Sequence, residues 1–238
     1  MKIESFPRKL FLFRNNLCMF AQTQNELHNM KHMSILAVSL LALVACTPEK
    51  KQEADYSQYV NPMIGTDFTG NTYPGAQVPF GMVQLSPDNG LPGWDRISGY
   101  FYPDTTIAGF SHTHLSGTGA GDLYDISFMP VTRPYKEAPA PLGIYSTFSH
   151  NDEAASAGYY RVLLKDYNIN VELTATERCG IQRYTFPEAE ASVFLNLKKA
   201  MNWDFTLDSK IEVVDSTTIR GYRLSQGWSP LQHVYFET

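Results

Sequence analysis

The sequence predicts a mostly β protein built as an antiparallel β-sandwich. Tyr and Phe occur 14 times each in 238 residues, beside 16 Gly and 14 Pro, and this composition is typical of aromatic strands separated by turns. The C-terminal part of the chain contains eight short segments with the composition or alternation of a strand: 145–150, 158–164, 169–176, 180–186, 192–197, 211–214, 218–224 and 233–236. Eight short strands at this spacing indicate a sandwich.

The first 58 residues are predicted to lie outside the folded domain. Residues 35–45 form an apolar run broken only by one serine, too short to span a membrane but typical of a signal peptide. We therefore assign residues 1–29 to a mis-assigned N-terminal extension and 30–46 to a lipoprotein signal peptide. Residues 47–58 are charged and predict a flexible tether, and residues 59–238 form the domain.

Cysteine usage supports an exported protein. The sequence Leu43-Val-Ala-Cys46 resembles the lipobox of bacterial lipoproteins, in which the cysteine is lipidated. This predicts a protein anchored in the bacterial cell envelope, on its periplasmic or outer surface, although a cysteine that merely follows a signal sequence remains an alternative. Cys179 is then the single cysteine of the domain, which excludes an intrachain disulfide. Its alternating neighbours predict a small buried residue.

The charge of the chain after residue 46 argues against nucleic acid as a partner. Residues 47–238 contain 14 Lys and Arg against 22 Asp and Glu, and so a net charge of −8. A phosphate backbone would be repelled by this charge. Neutral sugars or cationic groups are better suited as ligands.

The densest concentration of chemistry lies in Gly109-Phe-Ser-His-Thr-His-Leu-Ser-Gly-Thr-Gly119. Residues 110–115 alternate apolar and polar side chains, which predicts a strand with His112 and His114 on one face. The glycines that follow, together with Thr118, form a loop whose backbone can approach a ligand. Residues 126–131 predict the next strand.

Two earlier loops are further candidates for ligand binding. Gly65, Thr66 and Asp67 lie in a glycine-containing loop that could present backbone amides, although an ordinary turn explains the same pattern. Trp94 and Asp95 lie in a Gly- and Pro-rich stretch, where an aromatic face beside hydrogen-bonding groups suits a sugar ring. A tryptophan that covers the core is the alternative.

A transition-metal site is a rival interpretation of the two histidines. His112 and His114 could bind zinc if Asp122 or Asp125 supplied a third ligand, whereas calcium prefers oxygen ligands. Because a metal site needs at least three converging ligands, the spacing alone assigns no metal-binding residue.

Several motifs resemble one known family. They occur in the same order along the chain: Val60-Asn-Pro-Met-Ile-Gly-Thr66, Tyr73-Pro-Gly-Ala-Gln-Val-Pro-Phe-Gly-Met-Val-Gln-Leu-Ser-Pro-Asp88, Trp94-Asp95, Ser98-Gly-Tyr100, the segment 109–119 and residues 159–186. From residue 59 to its end, the chain is similar to the N-terminal domain of glycoside hydrolase family 92.

The resemblance implies a calcium-dependent, exo-acting, inverting α-mannosidase that degrades α-mannose-containing glycans. It also implies a β-sandwich that packs on an (α/α)6 helical domain, with the sugar pocket between them. The general acid, the general base and most of the calcium site would come from the helical domain, which this chain lacks. Because residues 233–238 end inside a strand pattern, we expect the domain to be truncated.

Inverting hydrolysis needs two carboxyl groups about 6.5–9.5 Å apart, and no pair here has a context that marks it as acid and base. We therefore assign no catalytic residue and expect the chain alone to be inactive. The loops and the resemblance together assign these residues to substrate binding: Gly65, Thr66, Asp67, Trp94, Asp95, His112, His114, Thr118 and Gly119. A stand-alone carbohydrate-binding lipoprotein is the alternative function, and a purely structural surface domain is the third. The sequence does not predict the linkage that is cleaved.

Overall fold

The structure, a computed structural model, describes residues 54–117, 119, 121–139, 142–188, 190–198 and 204–238. The described chain is mostly β with antiparallel sheets, which confirms the predicted fold class. Its helices are three short 3-10 turns, Ser57–Tyr59, Trp94–Arg96 and His150–Asp152. In this part of the chain, no helix has the length and apolar character needed to cross a membrane.

The strands, in chain order, are β1 (Ala76–Gln77), β2 (Gln84–Asp88), β3 (Thr106–Ile107), β4 (Gly109–Ser111), β5 (Ser127–Thr132), β6 (Glu137–Ala138), β7 (Gly143–Ile144), β8 (Ser146–Thr147), β9 (Glu153–Ser156), β10 (Tyr159–Leu164), β11 (Ile169–Ala175), β12 (Gly180–Thr185), β13 (Ala191–Asn196), β14 (Phe205–Val213), β15 (Ile219–Gln226) and β16 (Gln232–Glu237).

Two sheets form the sandwich. One has the strand order β1-β2-β4-β5-β13 and the other the order β12-β11-β10-β9. In β11, Ile169, Val171 and Leu173 are buried while alternate residues lie nearer the surface, as expected of a strand with one face on a core. These side chains join Leu85 and Phe110 of the first sheet in one hydrophobic cluster. The core therefore lies between the two inner faces.

A third sheet has the order β14-β15-β16. The pattern at 211–214 predicts a short strand, but β14 is nine residues long and contains an irregularity between Thr206 and Asp208. Several of its apolar side chains, among them Phe205, Leu207 and Val213, are exposed, so apolar periodicity alone could not locate its beginning.

Two local predictions were wrong. The strand expected at 110–115 ends at Ser111, because Leu123, Tyr124 and Ile126 opposite it have left-handed backbone conformations and a regular ladder cannot continue. Cys179 is exposed, not buried. It lies in the turn between β11 and β12, where its amide donates to Thr176 Oγ1, so the alternating pattern of β12 begins only after it.

Candidate functional site

The loop 61–72 is closed by its own hydrogen bonds. Gly65 has a φ of 86°, and its carbonyl accepts from the amide of Thr72 at 3.2 Å. Thr66 is buried, its hydroxyl donates to Met63 O at 2.9 Å, and its carbonyl accepts from the Tyr102 amide. Asp67 is only partly buried, and its Oδ1 accepts from the next amide. In this loop Asp67 is therefore open to a ligand, whereas the Thr66 side chain is structural.

The Trp94 turn presents its aromatic ring to solvent. Trp94 is 51% exposed and opens the 3-10 turn Trp94–Arg96, so it does not cover the core. Arg96 makes two hydrogen bonds to the Asp104 carboxylate, at 2.6 and 2.5 Å, and its guanidinium lies 4.7 Å from the centre of the Phe101 ring. This bidentate pair fixes the end of the turn.

The glycine-rich loop after β4 is open. A Cβ atom placed on Gly117 or Gly119 would have no atom within 4 Å, so a ligand could approach this backbone closely. Gly117 has a φ of 85°, and its amide donates to Asn71 O at 2.6 Å. Thr118 lies outside the described residues.

Hydrogen bonds join the three predicted loops. Gly117 of the glycine-rich loop bonds to Asn71 in the loop 61–72, as described above. Ser98, which follows the Trp94 turn, donates from Oγ to Thr72 O at 3.1 Å. The structure therefore brings the three sequence-predicted loops together at one edge of the sandwich.

The two histidines follow β4 directly in the chain and have different surroundings. His114 is buried, with Nε2 2.8 Å from Asp88 Oδ1 and with Nδ1 donating to Gln84 O at 2.7 Å. His112 donates from Nδ1 to Ile126 O at 2.7 Å, and burial lowers the pKa of its imidazole. Its ring lines a cavity of about 270 Å³ together with Cys179. Both histidines hold backbone carbonyls of the sandwich.

Comparison with known proteins assigns the chain to a family. The model of the glycosyl hydrolase family 92 N-terminal domain matches residues 59–238. The chain belongs to glycoside hydrolase family 92.

This family 92 chain is similar to two glycosidases of solved structure and to one secreted glycosidase. A family 92 α-mannosidase from Bacteroides thetaiotaomicron, solved in complex with mannoimidazole, is 43% identical with a TM-score of 0.72, over 76% of this chain and 24% of that one. The structure of another family 92 glycosyl hydrolase is 28% identical with a TM-score of 0.65, over 77% of this chain and 26% of that one. An uncharacterized secreted glycosidase of Arthroderma benhamiae is 26% identical, over 68% of this chain and 21% of its own length.

The family 92 chain thus spans about a quarter of the length of the solved enzymes that it matches. The matched part is the N-terminal domain. The similarity therefore covers one domain of these enzymes, and the activity and substrate of this chain are treated below as a proposal.

Asp122 and Asp125 of the family 92 domain bind residues of the third sheet, a role that the sequence did not reveal. Asp125 accepts from Arg223 Nη1 at 2.5 Å and from Thr113 Oγ1 at 2.7 Å. Arg223 Nη2 also lies 3.3 Å from Asp204, and all three ionic side chains are completely buried. Because Arg223 is 98 residues away from Asp125, no local sequence signal pairs them.

Asp122 forms a second link to the third sheet. Its Oδ2 accepts from the Trp228 amide at 2.8 Å and from Gln232 Nε2 at 2.7 Å, and its Oδ1 accepts from the Leu123 amide. Asp122 and Asp125 thus bind residues of the β15–β16 hairpin. In the described ranges no three His, Cys, Asp or Glu side chains converge on one point, and the zinc interpretation has no support there.

Between and beside these aspartates the backbone is strained. Leu123, Tyr124 and Ile126 have φ values of 82°, 58° and 55°, in a region that side-chain-bearing residues rarely adopt. Such conformations persist when surrounding contacts over-determine them, and they cluster at functional sites. Here the contacts come from Asp122, Arg223 and His112, which makes this run the rigid base of the glycine-rich loop.

Proposed function

We propose that this chain is the substrate-binding N-terminal domain of a bacterial, calcium-dependent, inverting α-mannosidase that removes terminal α-mannose from glycans. The observation that supports this most directly is the exposed Trp94 ring. Ser98, which follows its turn, bonds to the end of the loop 61–72, and that loop bonds to Gly117 of the glycine-rich loop. The 43% identical relative was solved with mannoimidazole bound, which supports mannose as the sugar.

The chemistry of the three loops is suited to binding but not to bond cleavage. An exposed indole can stack on the C–H face of a pyranose ring while Asp67, Asp95 and open backbone amides accept or donate hydrogen bonds to its hydroxyls. Inversion needs an acid and a base on opposite sides of the sugar. In our proposal a helical domain supplies both, and the chain alone is inactive.

The proposed enzyme also needs calcium, and the next question is which domain binds the ion. Asp122 and Asp125 are already occupied by hydrogen bonds and an ion pair, so the described carboxylates of the loops do not form a ready oxygen cage. We propose that the helical domain holds the ion, and we assign no step of the reaction to this chain through it.

The role of Trp94 can be tested by titrating the chain with methyl α-mannoside, with binding followed by saturation-transfer NMR. Trp94→Ala is expected to weaken binding about fivefold to thirtyfold, because stacking on an aromatic face contributes about 1–2 kcal/mol. Tyr235→Ala is the control, because Tyr235 is also an exposed aromatic residue, at 69%, but lies on β16 of the third sheet.

Equal binding by the two variants would exclude Trp94 as a sugar contact. In the same preparations the chain should not hydrolyse an aryl α-mannoside, with or without calcium, and turnover above that of Trp94→Ala would refute the missing acid–base pair. Micromolar affinity without turnover would instead favour the stand-alone carbohydrate-binding protein. DNA sequence downstream of codon 238 that encodes a helical domain with paired carboxylates would favour the enzyme.

We also propose that the mature protein is anchored to the bacterial envelope through lipid on Cys46. Cys46 and the signal peptide 30–46 lie outside the described residues, so this proposal rests on the lipobox pattern. Cys46→Ser is expected to move the protein from the membrane fraction to the soluble fraction, because one thiol carries the attachment. A variant that stays fully in the membrane fraction would point to an uncleaved signal sequence.

A further inference from the structure

We propose that Tyr124 and the buried His114–Asp88 pair are positioning residues that set the location of the Trp94 turn on the sandwich. The turn follows β2 in the chain, and Gly99, three residues after the turn, packs closely against all three side chains. That the positioned indole meets a sugar rests on the function proposed above. The coupling between the buried cluster and the turn does not depend on it.

The first contact is a hydrogen bond from Tyr124 to the turn. The Tyr124 hydroxyl donates to the carbonyl of Ile97, the residue that directly follows the turn Trp94–Arg96. Both Tyr124 and Ile97 are buried. The Ile97 carbonyl is buried, and leaving it without a donor would cost free energy. The Tyr124 hydroxyl therefore fixes the distance between the turn and Tyr124.

The second contact is the close approach of Gly99. A Cβ atom on Gly99 would lie 2.7 Å from Asp88 Oδ1, 3.0 Å from His114 Cδ2 and 3.0 Å from Tyr124 Cε1. The φ of 89° at Gly99 allows the backbone to bend onto all three groups, as only glycine does without strain. The chain leaving the Trp94 turn is therefore pressed against the whole cluster.

The cluster itself is held by the first sheet. His114 bonds to Asp88 and to Gln84 O, as described above, and its Nε2 also lies 3.1 Å from Ser111 Oγ. The His114 and Tyr124 rings meet edge to face with centroids 5.8 Å apart. The Tyr124 amide donates to Thr113 O at 3.0 Å. Any movement of Tyr124 would thus break several buried contacts at once. The cluster therefore holds a fixed position on the sheet, against which the turn packs.

A spectroscopic test can separate positioning from stability. The chain is labelled with 5-fluorotryptophan, and the 19F resonances of its three tryptophans are assigned with single Trp→Phe variants. Tyr124→Phe removes only the hydroxyl that holds Ile97 O. We expect it to shift or split the Trp94 resonance by more than its line width and to leave that of Trp228 in place.

Tyr167→Phe is the matched control. Tyr167 is 2% exposed, and its hydroxyl also donates to a backbone carbonyl, that of Tyr145, at 2.7 Å. The Tyr167 hydroxyl also accepts from the Lys136 amide at 2.9 Å, so Tyr167→Phe should lower the melting temperature at least as much as Tyr124→Phe, without moving the Trp94 resonance. Equal movement in both variants, or none in Tyr124→Phe, would overturn the positioning role.

Gly99→Ala provides a second route if Tyr124→Phe folds poorly. Its methyl group would press on Asp88, His114 and Tyr124 from the side of the turn, and it should displace the same Trp94 resonance. An unmoved resonance in a folded Gly99→Ala protein would also overturn the proposal. Methyl α-mannoside affinity, measured in parallel, should fall about threefold to tenfold in Tyr124→Phe. A shifted Trp94 resonance with unchanged affinity supports positioning and counts against Trp94 as the sugar contact.

Discussion

Replacing Arg223 with alanine is expected to lower the free energy of unfolding by about 3–5 kcal/mol, because removal of one partner leaves buried charges uncompensated. Asp125 and Asp204 would both lose their shared guanidinium. Leu123 O would lose its bond from Arg223 Nη1 at 3.1 Å, so the strained run beneath the glycine-rich loop should also loosen. Urea denaturation followed by circular dichroism gives the change in stability.

Arg220→Ala is the control for this prediction. Arg220 lies in the same strand and pairs with Glu212 at 2.9 Å, but its side chain is about half exposed. Exposed ion pairs contribute little, because water and salt screen them, and the variant should unfold close to the wild-type midpoint. If the two variants unfolded together, the buried triad would not be what attaches the third sheet.

Gly75→Ala is expected to cost about 3 kcal/mol, at the upper end of the range for overpacked sites. Gly75 is buried directly before β1. A Cβ atom there would lie 2.2 Å from Leu85 O and 2.4 Å from Ser86 Cβ. Both neighbours belong to β2, whose backbone cannot move away without breaking its pairing with β1 or β4.

Gly119→Ala offers the same change of residue without the overlap, since no atom lies within 4 Å of its Cβ position. Thermal unfolding of the two variants should therefore separate by several degrees or more. A Gly75→Ala protein as stable as Gly119→Ala would mean that β1 can pack at a greater distance from β2.

The sandwich could be predicted from sequence because its strands carry local patterns. In β10 and β11 the buried and exposed residues alternate as the sequence does. The length of β14 could not be predicted, because apolar residues on this strand are exposed. The left-handed backbone of Leu123 and Tyr124 also had no signal, since neither is glycine or asparagine and distant side chains impose the conformation.

For the candidate site, sequence located the loops more reliably than it described their side chains. The positions of the Trp94 turn and of the glycine-rich loop follow from the local content of Gly and Pro, whereas the exposure of Trp94 was one of two open alternatives. Whether Thr66 or His114 faces a ligand depends on Tyr102 and Asp88, residues that reach them only through the fold. Polar residues at such positions have the same appearance in sequence whether they bind substrate or hold the scaffold.

The links between the glycine-rich region and the third sheet have a consequence for the order of folding. The bonds from Arg223 to Asp125 and Leu123, and from Trp228 and Gln232 to Asp122, join residues 98, 100, 106 and 110 positions apart. Closing loops of this length costs chain entropy before any contact compensates it. The hairpins β10–β11 and β11–β12 need no such closure, so the nascent chain can form them early. We therefore expect the segment from Asp122 to Asp125 to reach its final conformation only after β15 and β16 have been synthesised and have docked.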